Sequence, residues 1–386
     1  MALPVAGTQQ AFAAKLEASF DTPLAFGNTD CVALESLELS PEQAWLPSGE
    51  HIYMSPDLVD EIRSKRGGTW TAKAYIRCPA AGSAPDLSAF WQACAMDQTL
   101  TPATSAVFAM NADQPRSLQL VRQIGDSVQE VANGAWVESV DLEVVGGGIP
   151  VLMFSGRFAS YGGLRGTPVV EGAVLAGQAT VVLEAGSAHL IRRGAQVAFG
   201  AEDNAGAGYT ITAVADDGVT CTISPVLAGN IADADEVTPV YPAAPATPGT
   251  ILNALDCGLD IGGDELGFIS AKIKYATGIH GLDKEATTDR ANRICLGARE
   301  VTGEIEFYLL DENAQVQVDT WEGTSRAVSI RVGSDVASER FTWAMPACRF
   351  NVAPLTVPET DEVTFTSSFV AKRSGAPNDV GTATYA

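Results

Sequence analysis

The chain has 386 residues, enough for two ordinary domains or for one large β domain that carries an insertion. Its aliphatic and aromatic content is sufficient for a hydrophobic core, which argues against intrinsic disorder. The formal net charge is -23, from 47 acidic and 24 basic side chains. This balance disfavours direct binding to nucleic-acid phosphates, which requires basic residues.

The N-terminus lacks a basic region followed by an apolar run, so the sequence indicates no signal peptide. No apolar run reaches the length of a membrane span, so we expect folding in a cytoplasm without membrane insertion. The seven cysteines are widely spaced, and none forms a C-x-x-C pair. They are interpreted as mostly reduced core residues, with zinc binding or disulfides as the alternative: Cys31, Cys78, Cys94, Cys221, Cys257, Cys295 and Cys348.

The N-terminal patterns are weak. Residues 8–20 predict a short lead-in that is helical or extended, and imperfect alternation from Cys31 to Leu39 predicts a first strand. Residues 41–66 contain three prolines and little strand pattern, with a brief helix predicted over DLVDEIRSKR at 57–66. We therefore predict a long loop over 41–66, and loops of this size inside a β domain are often functional.

The stretch 67–96 predicts a strand followed by a helix. Apolar and polar side chains alternate from Thr69 to Cys78, which indicates a strand with one buried face. After a Gly/Pro/Ser turn, Asp86 is placed to cap a helix. That helix has apolar residues at i, i+3, i+4, i+7 and i+8: Leu87, Phe90, Trp91, Cys94 and Ala95. The strand and helix can therefore cover each other, with Trp70 packed among the helix aromatics.

The rest of the chain predicts further strands. A β-hairpin is predicted around the turn at Gly146–Pro150. Residues 168–245 are rich in Ala, Gly and Val and end in the proline-rich linker PVYPAAPATPG, which predicts a small β-barrel inserted between core segments 1–167 and 246–386. The predicted strands are Ser105–Met110, Ser117–Val121, Trp136–Val145, Val151–Ala159, Thr180–Glu184, Gln196–Gly200, Tyr209–Val214, Val219–Ser224, Phe268–Ala276, Glu300–Leu310, 327–332, 340–345 and Glu362–Val370.

Catalytic and cofactor motifs are not found in the sequence. It contains no G-x-S-x-G elbow, no Walker loop and no His or Cys pair at metal-ligand spacing. His280 with Asp283 could form a base and its orienting group, although a surface-loop histidine explains the same pattern. Glu304 and Glu306 fall on the solvent face of a strand. We therefore predict a protein that is not an enzyme and that has no cofactor or metal site.

Five segments outside the insertion form an ordered set: AAKLEASFDTPLAFG, GGTWTAKAYIRCPAAGSAPDLSAFWQACAM, VESVDLEVVGGGIPVLMFSGRFASYG, AREVTGEIEFYLLDENAQ and ERFTWAMPACRFNVAPLTVPETDEVTFTSSFVAKRS. In this order the chain resembles the major tail tube proteins of long, non-contractile-tailed bacteriophages. The resemblance covers most of residues 10–160 and 265–375. It implies a mainly β fold, an orthogonal β-sandwich or barrel with one flanking α-helix, to which the inserted β-rich domain is an addition.

The resemblance also implies a structural virion protein, assembled in the host cytoplasm. Hexameric rings stack into a hollow tail tube that conducts viral DNA, with terminator and tip proteins as further partners. The 41–66 segment corresponds in position to the loop that reaches an adjacent ring. The candidate inter-subunit contacts are accordingly Lys73, Arg77, Asp57, Asp60, Glu61, Arg63, Lys65 and Arg66. The acidic charge fits a lumen that repels DNA, or it serves only to keep the tube soluble.

Two other functions fit the sequence less well. The chain could be a tail-tip or surface-attachment protein whose insertion binds host glycans, and binding of the insertion to a glycan array would separate this from a purely architectural role. It could also be a β-sandwich hydrolase, although the missing nucleophile, acid and base weaken that hypothesis.

Overall fold

The computed structural model describes residues 10–47, 61–111, 115–240, 249–283, 289–309, 321–334, 339–351, 362–375 and 378–386. Within these ranges the protein is mainly β, and the α-helix α1 spans Ser88–Ala93. The strands before the segment 168–245 are β1 (Gln10–Leu16), β2 (Ser36–Pro47), β3 (Glu61–Tyr75), β4 (Arg77–Cys78), β5 (Met96–Thr101), β6 (Ser105–Met110), β7 (Leu118–Ile124), β8 (Val128–Val145), β9 (Val151–Phe158) and β10 (Ser160–Arg165).

Shorter strands follow along the chain. Those inside the segment 168–245 are β11 (Thr180–Val182), β12 (Gln196–Phe199), β13 (Tyr209–Val214), β14 (Thr220–Ser224) and β15 (Val237–Pro239). Those after it are β16 (Thr250–Ile251), β17 (Gly258–Ile261), β18 (Asp264–Leu266), β19 (Ser270–Ala276), β20 (Ile279–Gly281), β21 (Ile294–Leu296), β22 (Glu300–Tyr308), β23 (Ser325–Gly333), β24 (Arg340–Phe350), β25 (Thr364–Ala371) and β26 (Thr382–Tyr385).

Seven strands lie side by side in the order β2–β3–β9–β8–β19–β22–β25, each antiparallel to its neighbours. The ladder continues from β25 to β24, which carries β23, β17 and β18 on one branch and β26, β6 and β5 on another. The N-terminal half of β8 pairs instead with β7 and β10, and β7 pairs with β1. Long strands with sustained alternation thus form the centre of the molecule.

The seven-strand part of the ladder and its continuation through β24 share one hydrophobic core. Tyr275 of β19 lies 6.3 Å from Trp343 of β24, measured between ring centroids, so side chains from both parts meet. The arrangement is of the β-sandwich type, and the described strands form no closed barrel.

Helix α1 fills the end of this core. Trp91 lies within contact distance of Phe154 on one part of the ladder (5.3 Å) and of Trp343 on the other (5.4 Å), and its indole N–H donates to the Tyr385 hydroxyl at 2.9 Å. Phe90 packs against Trp70 with their ring centroids 5.9 Å apart, as the sequence predicts. Burial of such large side chains contributes about 1.5–3 kcal/mol each. All five residues of the predicted apolar stripe are buried, but the helix contains only Phe90 and Trp91 of them, because it spans only Ser88–Ala93.

The predicted cap of this helix is wrong. Leu87 occupies the N-cap position, and it makes no side-chain capping bond. The Asp86 carboxylate instead reaches the backbone N–H of Ala33, and burial raises the pKa of Asp86. Asp86 thus connects the turn before the helix to the N-terminal segment.

The predicted loop over 41–66 is also wrong where the structure describes it. β2 reaches Pro47 and β3 begins at Glu61, and the two strands pair as a hairpin with a register shift between Gln43 and Trp45. The predicted helix over 57–66 is excluded for 61–66, whereas 57–60 lie outside the described residues. Prolines and charges disguise this strand in the sequence because an edge strand tolerates both.

The observed strand boundaries also test the predictions for the lead-in, the first strand, the strand through Cys78 and the hairpin. The lead-in is extended as β1, and the first strand after it begins at Ser36, because Cys31 makes only an isolated bridge to Ala13. The strand predicted through Cys78 divides after Tyr75 into β3 and β4. The hairpin around Gly146–Pro150 is confirmed as β8 and β9.

The segment 168–245 forms its own five-stranded sheet in the order β11–β14–β13–β12–β15, over a separate hydrophobic cluster. The predicted strand at Tyr209–Val214 is confirmed residue for residue. The sheet is open, although isolated bridges join Val169 to Glu236 and Val170 to Leu183 near its two edges. The predicted closed barrel is therefore not observed. Most of the proline-rich linker, 241–248, lies outside the described residues.

Candidate functional site

The side of the seven-strand ladder that faces away from the core is mostly polar, with Val145, Met153 and Tyr308 as exposed apolar residues on it. We call this surface the polar face; it comprises the exposed and half-exposed residues of β2, β3, β9, β8, β19, β22 and β25. The register places its residues opposite one another from strand to strand, as in Glu38, Thr71 and Ser155. Its charged members include the acids Glu38, Glu42, Asp141, Glu143, Glu304 and Glu306 and the bases Lys73, Arg157, Lys272 and Lys274.

The charges of the polar face are interleaved. Glu143, Lys272 and Glu304 are direct cross-strand neighbours on β8, β19 and β22. The Lys272 ammonium lies 3.0 Å from a Glu143 carboxylate oxygen, and this hydrogen bond raises the pKa of Lys272, with the Glu143 and Glu304 charges adding to it. These side chains are in solvent, so each pair contributes little to stability. Their main effect is to give the surface a mixed, slightly acidic charge without a basic patch.

Asp141 lies in the next row of the polar face, opposite Lys274. Partial burial raises the pKa of Asp141, while the Lys274 charge and a hydrogen bond from the Ser139 hydroxyl oppose the rise. The Ser139 hydroxyl also lies 2.8 Å from that of Ser155. Acidic, basic and hydroxyl side chains therefore alternate along this part of the polar face.

The structure separates two residues that the sequence analysis placed together. Lys73 lies on the polar face, where its ammonium is 2.9 Å from Glu35, and the hydrogen bond to Glu35 raises the pKa of Lys73. Arg77 lies on β4 and donates to the Gly249 carbonyl at 3.2 Å. Both cations therefore have partners within the chain, and they belong to different surfaces.

The remaining predicted contact residues belong to the β2–β3 hairpin or lie outside the described residues. Asp57 and Asp60 lie outside them. Glu61 and Arg63 are paired with β2 through their backbone. Lys65 is half-buried on β3. Arg66 forms a hydrogen-bonded ion pair with Asp289, a partner 223 positions away that the sequence gives no means to identify.

The outer half of the β2–β3 hairpin extends past the seven-strand ladder. β9 pairs with β3 only from Gly68 to Tyr75, so 61–67 of β3 has β2 as its only strand neighbour among the described residues. The β2 residues opposite this part of β3 begin at Glu42, and Glu42 and Gln43 are exposed. The hairpin is therefore a two-stranded arm attached to the end of the ladder.

β2 is also an edge strand, since within the described ranges it pairs with β3 alone. The Leu37 carbonyl accepts a hydrogen bond of 3.0 Å from the Arg122 guanidinium on β7, so it points away from β3. The backbone N–H and C=O groups of successive residues point to opposite sides of a strand. Those of Leu39, Pro41 and Gln43 therefore also point away from β3. Pro41 has no N–H to donate, and its position on the outer side leaves the β2–β3 ladder intact.

The insertion is seated on the core by buried polar contacts that sequence reasoning missed. The side-chain oxygen of Gln196 on β12 accepts a hydrogen bond from the Phe26 backbone N–H at 2.8 Å. The backbone N–H of Gln196 donates to the side-chain oxygen of Gln129, also at 2.8 Å. Arg193 is 3.1 Å from Asp21. Buried glutamines that accept backbone N–H groups fix the insertion in one orientation on β8 and the lead-in.

The His280–Asp283 pair considered from the sequence does not form. Asp283 is exposed, and the His280 ring instead contacts the Gly278 carbonyl and the thiol of Cys295. His280 and Cys295 are directly opposite on β20 and β21. A separation of 15 residues in sequence conceals this pair, because only the strand register brings the two together.

Comparisons with known proteins identify no family for this chain. No protein-family model matches it, and no curated protein matches its sequence. No helix in the described ranges is long and apolar enough to cross a membrane. In the same part of the chain, no group of three or more His, Cys, Asp or Glu side chains could hold a metal ion. Functional inference therefore depends on the polar face, the β2 edge and the hairpin arm.

Proposed function

We propose that this protein is the repeating subunit of a viral tail tube, a structural virion protein that assembles into stacked hexameric rings around a DNA channel. The observation that carries the proposal is the polar face, a continuous surface across seven antiparallel strands whose other side is buried in the core. The order of sequence segments that resemble phage tail tube proteins supports the same function.

In this proposal the polar face lines the lumen. Acidic side chains outnumber basic ones on it, and its lysines alternate with carboxylates, as in the row of Glu143, Lys272 and Glu304. A surface of this kind gives DNA phosphates no cationic patch to bind and repels them weakly. DNA can then slide along the wall. The large remaining negative charge of the chain falls outside this face and favours solubility of the free subunit.

The β2 edge joins neighbouring subunits within a ring. Its outward backbone groups, from Leu39 to Gln43, are of the kind that pair with a strand of another chain in β-augmentation. A closed ring requires a heterologous contact, in which this edge meets a different surface of the next subunit. Pro41 and the adjacent bulge limit such pairing to a short stretch, which reduces uncontrolled aggregation of free subunits.

The hairpin arm is assigned the contact between successive rings. It projects beyond the last strand that pairs with β3. Asp57, Asp60, Glu61, Arg63 and Lys65 belong to this arm or its connection. Arg66 supports the base of the arm through its ion pair with Asp289. The insertion is assigned to the outer surface of the tube.

Light scattering coupled to size-exclusion chromatography tests this function on the purified full chain. A hexamer or larger multiples that grow with protein concentration would support a tube subunit. A persistent monomer at all concentrations and salt conditions would contradict it. In parallel, binding of the full chain to a glycan array without assembly would favour the attachment function instead.

A further inference from the structure

His280 and Cys295 form a polar pair on the small antiparallel sheet β20–β21. They are register partners, so both side chains leave the sheet on the same side. The Cys295 sulfur lies 2.8 Å from His280 Nε2. His280 is exposed and Cys295 is partly exposed, so molecules in solution can reach the pair.

The backbone orients the imidazole for proton transfer. His280 Nδ1 lies 3.2 Å from the carbonyl oxygen of Gly278, an acceptor that requires a hydrogen on Nδ1. The neutral ring then has its lone pair on Nε2, the atom that faces Cys295. A thiol hydrogen-bonded to a neutral imidazole nitrogen can transfer its proton to it and become a thiolate, the nucleophilic form of cysteine.

The other cysteines lack this combination. Five of them are buried, and burial raises the pKa of Cys78, Cys221 and Cys348 to about 12. Cys257 is partly exposed like Cys295, but burial also raises its pKa and its thiol faces the Asn253 carbonyl, which cannot accept a proton at neutral pH. Cys257 is therefore a matched comparison for Cys295.

We propose that Cys295, activated by His280, is a covalent modification site that takes low-molecular-weight disulfides. The thiol proton moves to His280 Nε2, and the thiolate attacks one sulfur of the disulfide RS–SR. A bond forms between Cys295 Sγ and that sulfur, the original S–S bond breaks, and RS⁻ leaves with the electron pair. The imidazolium returns its proton to RS⁻, so the products are a mixed disulfide on Cys295 and a free thiol.

Thiol–disulfide chemistry fits this site better than metal binding. The pair supplies two ligands, whereas a structural zinc site takes four protein ligands and a catalytic one takes three. Among the described residues no third ligating side chain completes such a group. The pair does, however, supply both of the groups that activation of a thiol needs. The His280–Cys295 pair lies within one chain, so its reactivity does not depend on ring assembly.

The test is the reaction of the folded full chain with 5,5′-dithiobis(2-nitrobenzoic acid), supplied below one equivalent at neutral pH. Release of the yellow thiolate gives the rate, and mass spectrometry of peptides identifies the modified cysteine. We expect Cys295 to be modified first, at least about tenfold faster than Cys257, because an unassisted thiol is only a few per cent thiolate at this pH. Equal or faster modification of Cys257 would overturn the proposal.

Three variants resolve the role of each side chain. Cys295→Ser is expected to abolish the fast reaction, and Cys257→Ser is expected to leave it unchanged. His280→Gln retains a polar side chain but cannot act as a base, so the fast rate is expected to fall about tenfold. An unchanged fast rate in His280→Gln would show that exposure alone explains the reactivity. The labelling order in the unmodified chain decides the site even if a variant fails to fold.

Discussion

Glu17 is a half-buried carboxyl that follows β1 and contacts β8, and it gives the fold a specific dependence on pH. It accepts hydrogen bonds from the Gly134 N–H (2.8 Å), the Asp21 N–H (2.9 Å) and the Ser117 hydroxyl (2.6 Å). Burial raises the pKa of Glu17 from 4.5 to about 7, because it removes water from the charged form and outweighs these bonds.

The sign of the effect follows from this raised pKa. The folded state holds the Glu17 proton more tightly than the unfolded state, so the contribution to stability is complete below pH 4.5 and is lost as the pH rises through 7. A rise in pKa from 4.5 to about 7 corresponds to about 3 kcal/mol in total. About 2.5 kcal/mol of this is lost between pH 5 and pH 8.

Glu17→Gln replaces the carboxyl with a group that stays neutral. We expect its free energy of unfolding, relative to that of the unmodified chain, to increase by about 2.5 kcal/mol between pH 5 and pH 8. Urea unfolding followed by tryptophan fluorescence measures this in the large core, because all six tryptophans lie outside the insertion.

Glu38→Gln, on the exposed polar face, is the matched control, and its difference from the unmodified chain should be nearly constant over the same range. A Glu17→Gln variant whose difference from the unmodified chain is equally constant with pH would refute the account of Glu17.

Three further substitutions test the close packing at Gly156, the polar face as the lumen wall and the β2 edge as the ring contact. Gly156→Ala places a Cβ 1.9 Å from the Trp136 carbonyl oxygen, so it should lower the free energy of unfolding by about 1–3 kcal/mol, whereas Gly267→Ala, with no atom within 4 Å, should be tolerated. Lys272→Glu should leave assembly intact in light scattering if the polar face lines a lumen; loss of assembly would place that face in a subunit interface. Gln43→Pro should fold by circular dichroism but remain monomeric, while Gln43→Thr should assemble; assembly of both would exclude the β2 edge as the ring contact.

Strands with unbroken alternation could be predicted from the sequence to within a residue or two. Ser105–Met110 and Tyr209–Val214 match the observed strands. The first buries every second side chain, as its alternation predicts, whereas the second buries Tyr209, Thr210 and Ile211 in succession. The outer half of β2 could not be predicted, because Pro41 and its charged neighbours are tolerated only on an edge that the sequence does not identify. Short strands such as Gly258–Ile261 give too few alternations to recognise.

The candidate site was predictable in kind but not in its contacts. The alternation in β3 shows that Lys73 belongs to a polar face, but its partner Glu35 is defined by how the chain enters β2. The Arg66–Asp289 pair and the His280–Cys295 pair depend on the folding of distant segments onto one another. Local sequence carries no information on these pairings, which tertiary packing decides.

Electron microscopy of the purified protein at high concentration shows directly whether the chain builds a tube. We expect hollow, striated tubes of stacked six-fold rings, in which a reconstruction places the row of Glu143, Lys272 and Glu304 on the channel wall and the insertion outside. Discrete monomers, or closed particles without a channel, would contradict it.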